Sequence, residues 1–131
     1  MATVLIIDDD ESFCILLKMM LEERGYAAHF VLDSRGAVAQ VAARSPDIVL
    51  LDTFMHPVGG PETLQALRAG PGGTEIPVIM MSGNADPNTR ASVEQAGSDA
   101  FVYKSMDLTE TVQEIVASVE NQLRMAAARG R

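Results

Sequence analysis

The chain has 131 residues, 47% hydrophobic and 21% charged, which is an ordinary globular balance and enough length for one domain with a real core. It has no long apolar run to cross a membrane and no basic-then-apolar leader, and its lone Cys14 with two scattered histidines, His29 and His56, suits neither a disulfide nor zinc. The net charge of −8 argues against direct nucleic-acid binding and suits a divalent cation or a basic partner patch; the expected compartment is a reducing cytoplasm.

Two periodicities alternate along the chain, with no internal repeat and no low-complexity block. "TVLII" is a short β-branched run and predicts a first strand. Phe13, Leu16, Leu17, Met20 and Leu21 then recur at helical spacing, and Gly25 closes that helix. "AAHFVL" predicts a weaker strand. Asp33 or Ser34 can cap a second helix carrying Val38, Val41 and Ala42, which "SPD" breaks. "IVLLD" is a third strand, apolar until Asp52, and "TFMHPVGG" is a loop in which His56 is read as a loop residue. Pro61 suits the first turn of a short helix with Leu64 and Leu67 inward. After a flexible "GPGGTEI" come a fourth strand, "PVIMMS", and a fourth helix from about Pro87 to Ala96, closed by Gly97. "AFVY" is the fifth strand. Asp107 with Glu110 three residues on gives a capping-box-like start to a long last helix. Its inward face is predicted as Leu108, Val112, Ile115, Val116, Val119 and Leu123. Residues 1–124 are expected to form the domain and 125–131 a fraying tail or linker stub.

This is βα repeated five times, with the first, third and fourth strands apolar on both faces. Such strands belong in a parallel sheet covered by helices on each side, and right-handed crossovers make it a doubly wound α/β fold. Ligands bind such folds beyond the carboxyl ends of the strands. The first polar residues after the central strands are Asp8 and Asp9, then Asp52, Ser82 and Lys104, all at one sheet edge. Singly they read as a cap, a turn and a solvated ammonium. Together, three carboxylates and one lysine carry a deficit that Mg²⁺ would bring to about neutral, with hard oxygen donors of the right kind. A carboxylate beside such a metal can attack a phosphoryl group. Metal and ammonium then share the charge on the phosphoryl oxygens, and the Ser82 hydroxyl can bond one of them.

The stretches "VLIIDDDES", "IVLLDTFM", "PVIMMSGNA" and "AGSDAFVYKS" resemble a response-regulator receiver domain of bacterial two-component signalling, over about Thr3 to Leu123. The resemblance implies a flavodoxin-like sheet of order 2-1-3-4-5. It makes Asp52 the phosphoacceptor, Asp8 and Asp9 the acidic pair that places Mg²⁺ (Asp9 more directly), and the Phe54 backbone carbonyl a further ligand. Ser82 matches the switch hydroxyl, Lys104 the site lysine and Phe101 the switch aromatic, while Phe54 and Asn84 fall where the family tunes hydrolysis. It also implies a sensor histidine kinase or phosphotransfer protein as donor. A downstream protein, or a second copy, would be engaged through the fourth helix, fifth strand and last helix. The chain would then be a phosphoacceptor that assists its own phosphoryl transfer and hydrolysis rather than an enzyme in the ordinary sense, with neither nucleic acid nor membrane as a direct partner.

The sequence departs from the family pattern twice. Met55 is followed by His56, with Pro57 one place late, and Lys104 is followed by Ser105 instead of proline. A cis peptide before serine costs ~2.5–4 kcal/mol against ~0.5–1 before proline, so Lys104–Ser105 is predicted trans, with a displaced loop and Lys104 still reaching the acids. Tyr103 and Phe101 share one side of their strand, either as reporters of a switch or simply covered by the last helix.

Three alternatives compete. A Mg²⁺-dependent phosphatase of the haloacid-dehalogenase type would use Asp8 and Asp10 as a D-x-D, but the Gly-Thr that should follow and a second acidic pair after Lys104 are missing. It would be phosphorylated on Asp8, a receiver on Asp52. A phosphorylation-independent interaction module of the same fold would ignore small phosphodonors. A flavin binder lacks its phosphate loop after the first strand.

Overall fold

The computed structural model describes residues 1–84 and 86–130. Strand β1 (Thr3–Ile7) is buried from Val4 onward, and β3 (Ile48–Asp52) and β4 (Val78–Ser82) are buried throughout. Strand β2 (Ala27–Val31) lies at one edge and β5 (Ala100–Tyr103) at the other, giving one parallel sheet of order β2-β1-β3-β4-β5. This is the expected order, and it brings the ends of β1 and β3 side by side, with Ile7 in register with Leu51.

Side chains alternate between the two faces of the sheet. Val4, Ile6, Leu50 and Ile79 pack beneath α1 (Glu11–Glu23) and α5 (Leu108–Ala128). Leu5, Ile7, Leu51 and Met80 pack beneath α2 (Ala37–Arg44), α3 (Gly60–Ala69) and α4 (Pro87–Gln95). Each fully buried aliphatic side chain stabilises the fold by about 1.5–3 kcal/mol over leaving it in water. Gly25, with φ +91°, carries the chain out of α1 in the left-handed region that its missing Cβ allows.

Several elements differ in detail from the sequence reading. Asp33 caps a 3-10 turn (Ser34–Gly36) through Arg35 N–H (2.8 Å), and α2 starts only after that turn. Rotating the start this way buries Ala37 and leaves Ala42 exposed. On α5, Leu108 is 47% exposed because it sits in the first turn beyond the sheet edge, while two polar residues, Thr111 and Gln122, take inward positions. Asp107 caps α5 through Glu110 N–H (3.0 Å), but its own N–H donates to Ser105 Oγ (3.2 Å), so the reciprocal half of the capping box is supplied by Ser105. The helix runs on to Ala128 instead of fraying after Arg124, with Ala126 buried; Arg131 lies outside the described residues.

Candidate functional site

The three consecutive aspartates after β1 have three different environments. Asp8 is fully buried, and its Oδ1 accepts the Asp10 N–H (3.0 Å). Asp10 turns the other way and caps α1, accepting Phe13 N–H at 3.1 Å. Asp9 is exposed, and its carboxylate accepts no hydrogen bond among the described residues. Of the three, only Asp10 caps a helix.

Asp52 ends β3, 6% exposed, beside Asp8. Carboxylate oxygens of Asp8, Asp9 and Asp52 all lie within 4.8 Å of one another. Lys104, just past β5, reaches into this group: its Nζ donates to Asp8 Oδ2 at 2.6 Å and to Asp52 Oδ1 at 3.4 Å. The ammonium also lies 4.4 Å from the centroid of the Phe13 ring, which adds a cation–π contact on its apolar side. Burial pushes the Asp52 carboxyl up to about 6, the Asp8 charge adds to it, and Lys104 opposes without cancelling it. Burial works against the Lys104 ammonium, yet the hydrogen bonds and charges of Asp8 and Asp52 outweigh it and hold its pKa above the ordinary lysine value.

The neighbouring strands fix this edge from both sides. Thr53 N–H and Oγ1 both donate to Met81 O, at 2.8 and 2.9 Å. Lys104 N–H donates to Ser82 O at 2.7 Å. Ser82 is fully buried; its Oγ accepts the Asn84 N–H (3.0 Å), and its hydroxyl hydrogen has no acceptor among the described residues. Asn84 Oδ1 accepts the Asp86 N–H (2.7 Å), so that carbonyl is committed to the turn into α4.

Phe54 is 57% exposed and lines a groove of about 490 Å³ with His56, Glu62, Asn88 and Ser92. His56 is exposed and precedes Pro57 through a cis peptide, the only one among the described residues; Lys104–Ser105 is trans, as predicted. Phe101 is half-buried against the Val93 side of the sheet, with the Arg90 guanidinium 5.6 Å from its ring centroid. Tyr103 is exposed on the same side. The last helix covers Val102 instead, so the reading in which α5 buries Phe101 and Tyr103 is corrected.

The sequence pattern places Phe13 only in the core, marks Ser105 only for its peptide bond, and gives no role to Gly60 or Thr111. A Cβ at Gly60 would fall 2.5 Å from the Asp52 carbonyl oxygen and 2.7 Å from Thr53 Cα, so only glycine lets α3 start this close behind the site. The one available signal was the Gly-Gly-Pro run before α3.

The sequence profile of the response regulator receiver domain matches residues 4–116. The chain belongs to that family. Among curated relatives it is 32% identical over 112 residues to the nitrogen assimilation regulatory protein NtrX of Azorhizobium caulinodans, covering 83% of this chain and 24% of that protein. It is 30% identical over 126 residues to the transcriptional regulatory protein KdpE of Mycobacterium tuberculosis (96% and 54%). To the phosphate regulon regulatory protein PhoB of Rhizobium meliloti the identity is 28% over 123 residues (94% and 52%). The chain thus spans about half of PhoB and KdpE and about a quarter of NtrX. Two solved structures share the fold. The Francisella response regulator 1452 receiver domain superposes with TM-score 0.84 at 21% identity, over 96% of this chain and 99% of that one. The Vibrio cholerae chemotaxis regulator CheY4 gives 0.81 at 24%, over 91% and 98%. This receiver domain of two-component signalling therefore carries an acidic cluster whose hard oxygen donors fit a divalent cation, and no described helix is long and apolar enough to cross a membrane.

Proposed function

We propose that the chain accepts a phosphoryl group on Asp52 from the phosphohistidine of a sensor histidine kinase or phosphotransfer protein in the cytoplasm. It then signals through α4, β5 and α5. The observation that carries this reading is the Asp52 carboxylate, buried at a strand end between two acids and 3.4 Å from the Lys104 ammonium.

Asp8 and Asp9, with Asp52 and the Phe54 carbonyl, would hold Mg²⁺, which when bound supplies positive charge to the phosphoryl oxygens. A carboxylate oxygen of Asp52 attacks phosphorus, and the P–N bond to the donor imidazole breaks with its electron pair left on nitrogen. Lys104 is already charged and desolvated where negative charge gathers, so it stabilises the transferring group without reorganising. Among the described residues the Ser82 hydroxyl hydrogen has no acceptor, so it can bond a phosphoryl oxygen. Phosphorylation uses one negative charge and adds about two, so the site gains roughly −1. That change draws Ser82 toward the phosphoryl group and lets Phe101 follow, altering the α4-β5-α5 surface offered to a downstream protein or a second copy.

Labelling with acetyl phosphate and Mg²⁺ tests the reading. The parent protein should gain one phosphoryl group, and Asp52→Asn should gain none. Label persisting at another aspartate, or a parent that takes no label, would overturn it.

A further inference from the structure

The inward stripe of α5 is apolar at Val112, Ile115, Val116 and Val119, yet it begins with a threonine that is 1% exposed. A threonine in a helix ordinarily turns its hydroxyl to a carbonyl three or four residues back. Thr111 instead aims it out of the helix at Ser105, the residue that follows Lys104. Thr111 Oγ1 accepts the Ser105 N–H at 2.9 Å and lies 3.2 Å from Ser105 Oγ. Ser105 Oγ in turn accepts the Asp107 N–H (3.2 Å) and lies 3.1 Å from Asp107 O. The chain leaving β5 is therefore tied to the first turn of α5 through two hydroxyls.

We propose that Thr111 is a positioning residue for Lys104: its hydroxyl fixes the Ser105 backbone and so sets where the Lys104 ammonium meets Asp8 and Asp52. The Lys104 N–H is held by Ser82 O on one side of the residue, and the Ser105 N–H is held by Thr111 on the other. With both flanking amides pinned, the side chain starts from a fixed Cα and reaches Asp8 at 2.6 Å. Removing the Thr111 acceptor leaves a partly buried N–H without its partner, and the segment must shift to reach water. Ammonium placement is then lost before the fold is. The effect on phosphoryl transfer rests on the function proposed above; the placement itself does not.

The experiment compares Thr111→Val, which keeps shape and loses the hydroxyl, with Thr111→Ser, which keeps the hydroxyl and loses a methyl. Val119→Ala serves as a control that weakens α5 packing far from Ser105. Two readouts are taken on the full chain: exchange of the Lys104 ammonium protons with water, by nitrogen-15 NMR, and the rate of acetyl phosphate labelling at saturating Mg²⁺. Thr111→Val should speed the exchange and slow the labelling, each roughly tenfold for one unpaired buried donor. Thr111→Ser should stay within about twofold of the parent on both. Val119→Ala should lower the urea midpoint and leave both readouts in place. Parent-like exchange in Thr111→Val, or equal impairment in Thr111→Ser, would overturn the proposal. If the parent takes no label at all, the function reading fails while the ammonium exchange still decides the role of Thr111.

Discussion

Asp52 shows how one carboxyl can be useful and destabilising together. Its folded pKa is raised from 3.8 to about 6, so the folded protein binds its proton more tightly than the unfolded chain does. The stability this gives is complete below pH 4 and is lost as pH rises through about 6, a swing of roughly 3 kcal/mol. Without Mg²⁺, Asp52→Asn should therefore be more stable than the parent at pH 7.5, and the advantage should shrink toward pH 4.5. Urea midpoints of both proteins at the two pH values, in chelator, check this; a gap that does not change with pH refutes it. Phe54 gives a second test at this scale. Its ring stands half-exposed over the groove next to Thr53 and cannot orient a water as an amide could. Phe54→Asn should shorten the lifetime of the aspartyl phosphate several-fold, measured by loss of label after the donor is removed. An unchanged or longer lifetime counts against a shielding role.

At the scale of elements, the β5–α5 connection carries one of the two departures from the pattern that the resemblance implied, and the structure gives Ser105 contacts there. Proline at 105 would have no N–H for Thr111 and no hydroxyl for Asp107, two contacts that Ser105 makes. Ser105→Pro should thus destabilise the domain by about 1–2 kcal/mol, the usual worth of such bonds, read from the urea midpoint. A stabilised variant would mean that the loop had been proline-compatible all along. The opposite side of β5 carries the switch prediction. Phe101 is held between the Val93 side of the sheet and the Arg90 guanidinium, so movement of its ring must be felt by α4. Beryllofluoride with Mg²⁺ should shift backbone amides of α4 and β5 more than those of α2; shifts that spare α4 and β5 would remove this surface from the mechanism.

Across the whole molecule, the fold was legible because five apolar runs and their helical partners alternate without a competing signal. The convergence of Asp8, Asp9, Asp52, Ser82 and Lys104 followed from chain order alone, since every parallel strand ends at the same edge. What stayed hidden depends on neighbours distant in sequence. Nothing in "DDDES" separates the buried Asp8 from the capping Asp10, and nothing in an α5 threonine announces that its hydroxyl serves a residue outside its helix. Leu108 and Ala42 were misplaced because periodicity fixes a helix face but not where the helix meets the end of the sheet.

The net charge of −8 and the local acidic cluster make cation binding a testable lever on this molecule's stability. A cation that binds only the folded state stabilises it by about 2.7 kcal/mol at a hundred times its dissociation constant. Its carboxylate ligands must be ionised, so it competes with the proton on Asp52. With that carboxyl at about 6, Mg²⁺ should raise the melting temperature strongly at pH 7.5 and weakly at pH 5. The metal thereby reverses the trend of the metal-free protein, whose stability falls over the same interval. If Asp9 is a ligand as proposed, Asp9→Asn, at a carboxylate that is exposed and accepts no hydrogen bond among the described residues, should erase most of the Mg²⁺ increment while leaving the metal-free melting temperature nearly unchanged. Calorimetric scans of parent and Asp9→Asn, with Mg²⁺ and with chelator at both pH values, check all three statements together. A Mg²⁺ increment that persists in Asp9→Asn, or that is as large at pH 5 as at pH 7.5, would place the cation elsewhere on the acidic surface.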